Sequence, residues 1–139
     1  MRILALDIGE KRIGLAISDS STRVASPLCI LDNVDVINNS RKFQNIVEEW
    51  QVDSFLIGLP LSLTGDSGKQ AEFIKNVAKK IKMHYPNINL ELYDERFSSK
   101  EAKKVLQSQD YSEKDMRLKL DSIAASIFLQ SYLDSKNLA

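Results

Sequence analysis

The chain opens MRILALDIGEKRIGLAISD, two short apolar runs separated by four residues, with an acid inside the first run. Ile3 to Ile8 and Ile13 to Ser18 are rich in strand formers, and Gly9, Glu10, Lys11 and Arg12 make a tight charged turn between them. That pattern predicts a β-hairpin. Asp7 stands where the first strand calls for a core residue. A carboxylate in a buried strand is costly unless it is paired, hydrogen-bonded or bound to a metal. Gly9, two residues on, removes a side chain beside it and lets another group approach the backbone. An Asp that merely caps the turn is the ordinary alternative. Its place inside the apolar strand, with two cations just beyond, selects Asp7 as a site residue for metal or phosphate.

Composition bounds the rest. A chain of 139 residues is long enough to bury a real core, and one domain over residues 1–139 is expected. Nineteen basic residues balance nineteen acidic ones, so any binding of nucleic acid must come from local clusters and not from a global field. The single cysteine, Cys29, excludes an intramolecular disulfide and fits a reducing compartment. No stretch is long and apolar enough to span a membrane, and the N-terminus lacks a signal-peptide pattern, so the cytoplasm is the expected location.

Further along, Arg23 to Leu31 reads as a third strand, with Pro27 marking an edge, and the close spacing of the three runs predicts an antiparallel meander. In DVINNSRKFQNIVEEW, Val36, Ile37, Phe43, Ile46, Val47 and Trp50 fall near helical spacing. They predict one helix over 35–50, capped by Asn33 or Asp35, with Trp50 in the core at its end. Val52 to Gly58 reads as a buried central strand. The glycine- and hydroxyl-rich loop GLPLSLTGDSGKQ follows it, where ligands of open α/β sheets bind. Lys69 to Met83 predicts an amphipathic helix with Lys75, Lys79, Lys80 and Lys82 largely outside and His84 as a C-terminal cap.

Ile88 to Tyr93 is the fifth predicted strand, running into Asp94, Glu95 and Arg96. A capping box at Ser98 and Glu101 starts a helix at Ser99 that continues to about Gln107. A last helix is expected from Ser112 to about Leu133, with Leu120, Ile123, Ala124 and Ile127 as its apolar stripe and Asp121 beside it. Three meander strands followed by two right-handed crossovers predict a mixed five-stranded α/β sheet of order 3-2-1-4-5 with helices on both faces. Strands 1, 4 and 5 then share a carboxyl edge, where Asp7 and Glu95 lie.

The stretches DIGEKRIGLAISD, IGLPLSLTGDSGKQA, YDERFSSKEA and RLKLDSIAASIFLQSYLD, in this order over nearly the whole chain, resemble the ribonuclease H-like nucleases. They are similar in particular to the YqgF (RuvX) family, described as Holliday-junction-resolvase-like or as pre-16S rRNA nucleases. Leu63 and Thr64 stand where the family loop usually carries Met and Asp. The resemblance implies that Asp7, Glu95 and Asp121 form an acidic triad holding Mg²⁺ or Mn²⁺ in a two-metal site. Lys11, Arg12, Arg96, Lys100 and Lys103 lie near the same edge by sequence position and suit backbone phosphates.

The expected activity is metal-dependent hydrolysis of phosphodiester bonds in structured nucleic acid, foremost at the 5′ end of pre-16S rRNA. The alternatives are a resolvase acting on four-way DNA junctions and a non-catalytic RNA-binding module of the same fold. A phosphotransferase of the actin–hexokinase type also opens with a strand carrying D-x-G, but needs two lobes to clamp a nucleotide. The expected partners are precursor rRNA and branched DNA, no membrane, with the protein a monomer or weak homodimer.

Overall fold

The computed structural model of the chain describes residues 1–59, 68–94 and 113–137, with side chains described from 122 to 136 in the last helix. The expected helix after Ser99 and most of the 58–70 loop lie outside the described residues. The first strands are β1 (Ile3–Ile8), β2 (Arg12–Ser18) and β3 (Ala25–Asp32). Then come α1 (Asn33–Ile37), α2 (Arg41–Glu49), β4 (Ser54–Leu59), α3 (Gly68–His84), β5 (Asn89–Asp94) and α4 (Glu113–Asn137). The five strands form one sheet of order β3-β2-β1-β4-β5. β1 pairs antiparallel with β2 and parallel with β4, and β4 pairs parallel with β5, as the sequence pattern predicts.

Strand alternation sorts the apolar side chains into two layers. Leu4, Leu6, Ile8, Ile13, Leu15, Ile17, Phe55 and Ile57 meet Val36 of α1, Phe43 and Val47 of α2, and Ile74, Val77 and Ile81 of α3. Ile3, Ala5, Ala16 and Leu56 point the other way and meet Ala125, Phe128, Leu129 and Leu133 of α4. The smaller residues Ala5 and Ala16 leave room for that helix to lie close over β1 and β2. Its seat is fixed at one end by Gln130, which accepts from the Ala25 N–H (2.9 Å) and donates to the Arg23 carbonyl (2.8 Å).

Turns follow local chemistry. The Gly9 N–H donates to the Arg12 carbonyl at 2.9 Å, and a Cβ on Gly9 would lie 2.9 Å from that same oxygen, so the close approach expected at this glycine is real. At the opposite edge, Asp19 organises the β2–β3 turn. It accepts from Ser21 Oγ and from the backbone N–H groups of Arg23 and Val24. The Ser21 hydroxyl first, and then those amides, hold its carboxyl down at about 2. Asp19 is therefore committed to its turn.

Several expectations change. The helix expected over 35–50 is two helices, because Asn38, Asn39 and Ser40 interrupt it. Asn39 takes φ +51°, Ser40 is the N-cap residue of α2, and the Tyr85 hydroxyl donates to Asn39 Oδ1 (2.7 Å). Short polar side chains compete with helical hydrogen bonds, so this triplet favours a break over continuation. Neither expected cap serves α1, whose N-cap residue is Asp32. Trp50 is only half-buried, its ring lying under the Arg2 guanidinium at 5.4 Å. β3 starts two residues later than expected, and its register with β2 shifts between Leu15 and Ala16, opposite Cys29 and Pro27. A proline without an N–H fits such a bulge on an edge strand. Cys29 packs half-buried there, and burial pushes its thiol up, away from the reactive thiolate.

Candidate active site at the carboxyl edge

Asp7 lies near the end of β1, half-buried, with Gly14 of β2 as its Cα partner. On its other side the β1–β4 pairing runs through Leu6 and Ile57, so Asp7 comes level with Gly58, which pairs in turn with Tyr93 of β5. One row thus crosses the sheet as Gly14, Asp7, Gly58 and Tyr93. By alternation these share the face that α4 covers, the face of Ile3 and Ala5. Glycine on both neighbouring strands leaves the flanks of the Asp7 carboxylate clear of strand side chains. Gly14 is not legible in the sequence as such a gap, because only the register reveals which residue stands opposite Asp7.

Tyr93 anchors the helix that closes this face. Its ring stacks on Phe128 (centroids 6.1 Å apart), meets Tyr132 edge-on, and its hydroxyl lies 2.9 Å from Ser131 Oγ. Tyr132 donates to Glu91 Oε2 at 2.7 Å. Burial and then the Glu91 carboxylate push its phenol up to about 12, which keeps it a donor at any working pH. Glu91 meets the later helix residue and Tyr93 the earlier one, so α4 runs antiparallel to β5. Position 121 precedes Phe128 by two helical turns, about 10 Å towards the carboxyl edge. The helical backbone therefore takes Asp121 towards the end of the sheet where Asp7 sits.

The stripe facing the sheet differs from the expected one. Ile123 and Ala124 are buried, but Ile127 is only half-buried. The sheet-facing row is Ala125, Phe128, Leu129 and Leu133. That row also has helical spacing, and its larger residues fill the layer better.

The β1–β2 turn is pinned by Asn33, which the sequence pattern offers only as a helix cap. Asn33 is buried. Its Nδ2 donates to the carbonyls of Gly9 (2.8 Å) and Glu10 (2.7 Å), and its own N–H donates to the Lys11 carbonyl (3.0 Å). Lys11 and Arg12 are exposed on this turn, with Arg12 opposite Asp32 in the β2–β3 register. An Asn following an Asp at a strand end was the available signal, but it is common in turns. Asn33→Ala should strip two carbonyls of their partner and lower stability by about 2–3 kcal/mol. Thermal unfolding would show this as a fall of roughly 5–10 °C. An unchanged melting temperature would mean that the turn holds itself.

Glu95, Arg96, Lys100 and Lys103 lie outside the described residues, as does the side chain of Asp121. Among the described residues no three His, Cys, Asp or Glu side chains cluster as a metal centre. Asp94, the last residue of β5, is exposed and by alternation belongs to the face opposite Tyr93 and Asp7.

A mixed sheet of this order, with a long helix over the face of an acid on its central first strand, defines a ribonuclease H-like α/β protein. The family model RuvX, described as Holliday junction resolvase, matches residues 1–135, and the chain belongs to that family. A protein of Sulfurihydrogenibium sp. (strain YO3AOP1) named "Putative pre-16S rRNA nuclease" is 39% identical over 134 residues, covering 96% of this chain and 90% of that protein. One of the same name from Dictyoglomus turgidum (strain DSM 6724 / Z-1310) is 38% identical over 138 residues, covering 99% and 97%. Among solved structures, the fowlpox virus resolvase in complex with Holliday junction DNA superposes with a TM-score of 0.57 at 21% identity, covering 98% and 99% of the two chains. Thermus thermophilus RuvC, solved with a Holliday junction substrate, gives 0.54 at 9% identity over 99% and 96%. At those identities the likeness is one of fold.

Proposed function

We propose that this protein is a divalent-metal-dependent nuclease that hydrolyses phosphodiester bonds in structured RNA, acting on the 5′ end of precursor 16S rRNA in the cytoplasm. The observation that carries the reading is Asp7, half-buried at the carboxyl edge with glycine on both sides. Hard cations take oxygen ligands, and a carboxylate kept clear of neighbouring strand side chains suits one. Asp7, Glu95 and Asp121 are the residues that hold Mg²⁺ or Mn²⁺. When bound, a pair of such ions supplies an activated water and charge for the leaving oxygen. Lys11 and Arg12 on the pinned turn, with Arg96, Lys100 and Lys103, hold backbone phosphates and set the strand in register. The names of the relatives support RNA as the substrate.

A second reading, cleavage of four-way DNA junctions, is favoured by the family model's description and by the fold shared with two junction resolvases. Paired symmetrical nicks require two sites in a dimer. The names of the relatives lead us to rank RNA first, and we take the protein as a monomer or weak homodimer. The test is cleavage of precursor 16S rRNA and of a four-way junction, each with and without Mn²⁺. Metal-dependent trimming of the RNA is expected. Paired nicks in the junction with the RNA untouched would reverse the order, and binding without cleavage of either would leave an RNA-binding module.

A further inference from the structure

The neutral charge of the chain hides an uneven distribution. α3 carries Lys69, Lys75, Lys79, Lys80 and Lys82 against one acid, Glu72, leaving fourteen basic and eighteen acidic residues in the remainder. One 17-residue helix therefore stands at +4 against −4 for everything else, counted from the same sequence. Ala71, Ile74, Val77, Ala78 and Ile81 turn one face of α3 into the core. Lys69, Lys79, Lys80 and Lys82 are exposed and Lys75 is half-buried.

Lys75, Lys79 and Lys82 follow one another at i, i+4 and i+7, which stacks them in one row. Like charges at these spacings cost a helix a few tenths of a kcal/mol per pair. No acid lies within four positions of Lys79, Lys80 or Lys82 to offset that. Lys82 is partly engaged, donating to the Ile88 carbonyl at 2.8 Å. The row therefore carries a standing repulsion that a polyanion would relieve.

Position says which polyanion. Lys69, Gln70 and Phe73 at the start of α3 share a cleft of about 250 Å³ with Glu10 of the β1–β2 turn. That turn carries Lys11 and Arg12, the residues given to phosphate above. Lysines thus run from the carboxyl edge along α3, on the sheet face opposite α4, with the Glu10 carboxylate between Lys69 and the basic pair of the turn. Between Lys69 and Lys80 the helix rises about 16 Å.

We propose that the exposed face of α3 is a second nucleic-acid contact, which holds the backbone of the substrate RNA beyond the scissile bond without reading its sequence. This rests on the nuclease reading for the identity of the polyanion. Contacts to phosphate alone raise affinity, steepen its dependence on salt and leave the chemical step untouched.

The test is binding of a fluorescent RNA hairpin with a single-stranded flank, in EDTA so that nothing is cleaved, across a salt series. Lys79→Gln/Lys80→Gln should bind roughly three- to tenfold more weakly and reduce the slope of log K against log salt by about 1.5. Arg23→Gln/Lys136→Gln makes the same charge change at exposed positions away from α3 and should bind as the wild type does. Single-turnover cleavage at saturating protein should be equal in all three. Wild-type binding by the α3 variant overturns the proposal, and so does an equal loss in both variants, which would mark a general effect of net charge. The same holds if the wild type binds no RNA in EDTA. The nuclease reading fails separately, if wild-type protein with Mn²⁺ leaves precursor rRNA intact.

Discussion

Asp7→Asn should lower metal-dependent cleavage by at least about 100-fold, since even the groups that support a metal ligand are worth 10- to 100-fold. Asn keeps the shape of the side chain and its place between Gly14 and Gly58, but replaces an anionic oxygen with an amide. Stability should change by no more than about 1 kcal/mol, because the group is only half-buried and Asn matches it in size and shape. Single-turnover cleavage with Mg²⁺ and with Mn²⁺, alongside thermal unfolding, separates the two effects. Asp94→Ala is the companion variant. Asp94 sits on the other face of β5 at its exposed end, so its loss should cost little activity, whereas Glu95→Asp keeps the charge but shortens the reach and should be severely impaired. A dead Asp94→Ala beside a fully active Glu95→Asp would mean that the wrong carboxylate has been assigned. Full activity of Asp7→Asn would remove the site altogether.

Phe128→Ala should be strongly destabilising. Phe128 is fully buried, stacks on Tyr93, and belongs to the layer that holds α4 against Ile3, Ala5 and Leu56. Emptying that space should cost about 3–5 kcal/mol, or roughly 10–15 °C in melting temperature. The loss should extend to function. α4 carries Asp121 towards the carboxyl edge only while its later turns stay seated on the sheet. Cleavage should therefore need more Mn²⁺ to saturate, even at temperatures where the variant remains folded. A variant with wild-type metal dependence would show that the position of Asp121 does not depend on this packing.

Sheet order, strand directions and the extents of α3 and β5 were legible because period and punctuation agree there. The apolar runs of β1 and β4 end at Gly9 and at Gly58 and Pro60, β5 runs into the charged Asp94, Glu95 and Arg96, and α3 shows a clean 3.6-residue repeat. The sequence pattern misleads where two periodicities coexist. Residues 35–50 satisfy one helical stripe on paper, yet Asn39 needs a left-handed backbone and Tyr85, some 46 positions away, locks it there. In α4 two overlapping stripes compete, and only the bulk of Phe128 and Leu129 against the small Ala5 and Ala16 decides which faces the sheet.

The candidate site shows the same division. Asp7 announced itself as a misplaced charge. Its glycine neighbour on β2 and the grip of Asn33 on the turn are facts of register and tertiary hydrogen bonding. No local pattern encodes them.

The seating of α4 also bears on how the chain reaches this fold. Gln130 bridges to Arg23 and Ala25, more than a hundred positions earlier, and Phe128 and Leu133 cover Ile3. Among the elements described, the strand made first is thus sheathed by the helix made last. During synthesis β1, β2 and β4 can pair while Ile3, Ala5, Ala16 and Leu56 still face water, an apolar strip open to wrong partners for as long as the remaining residues take to emerge. Contacts of such long sequence separation also close slowly once the chain is free. Refolding from denaturant should therefore show the amides of α2 and α3 protected from hydrogen exchange before those of α4.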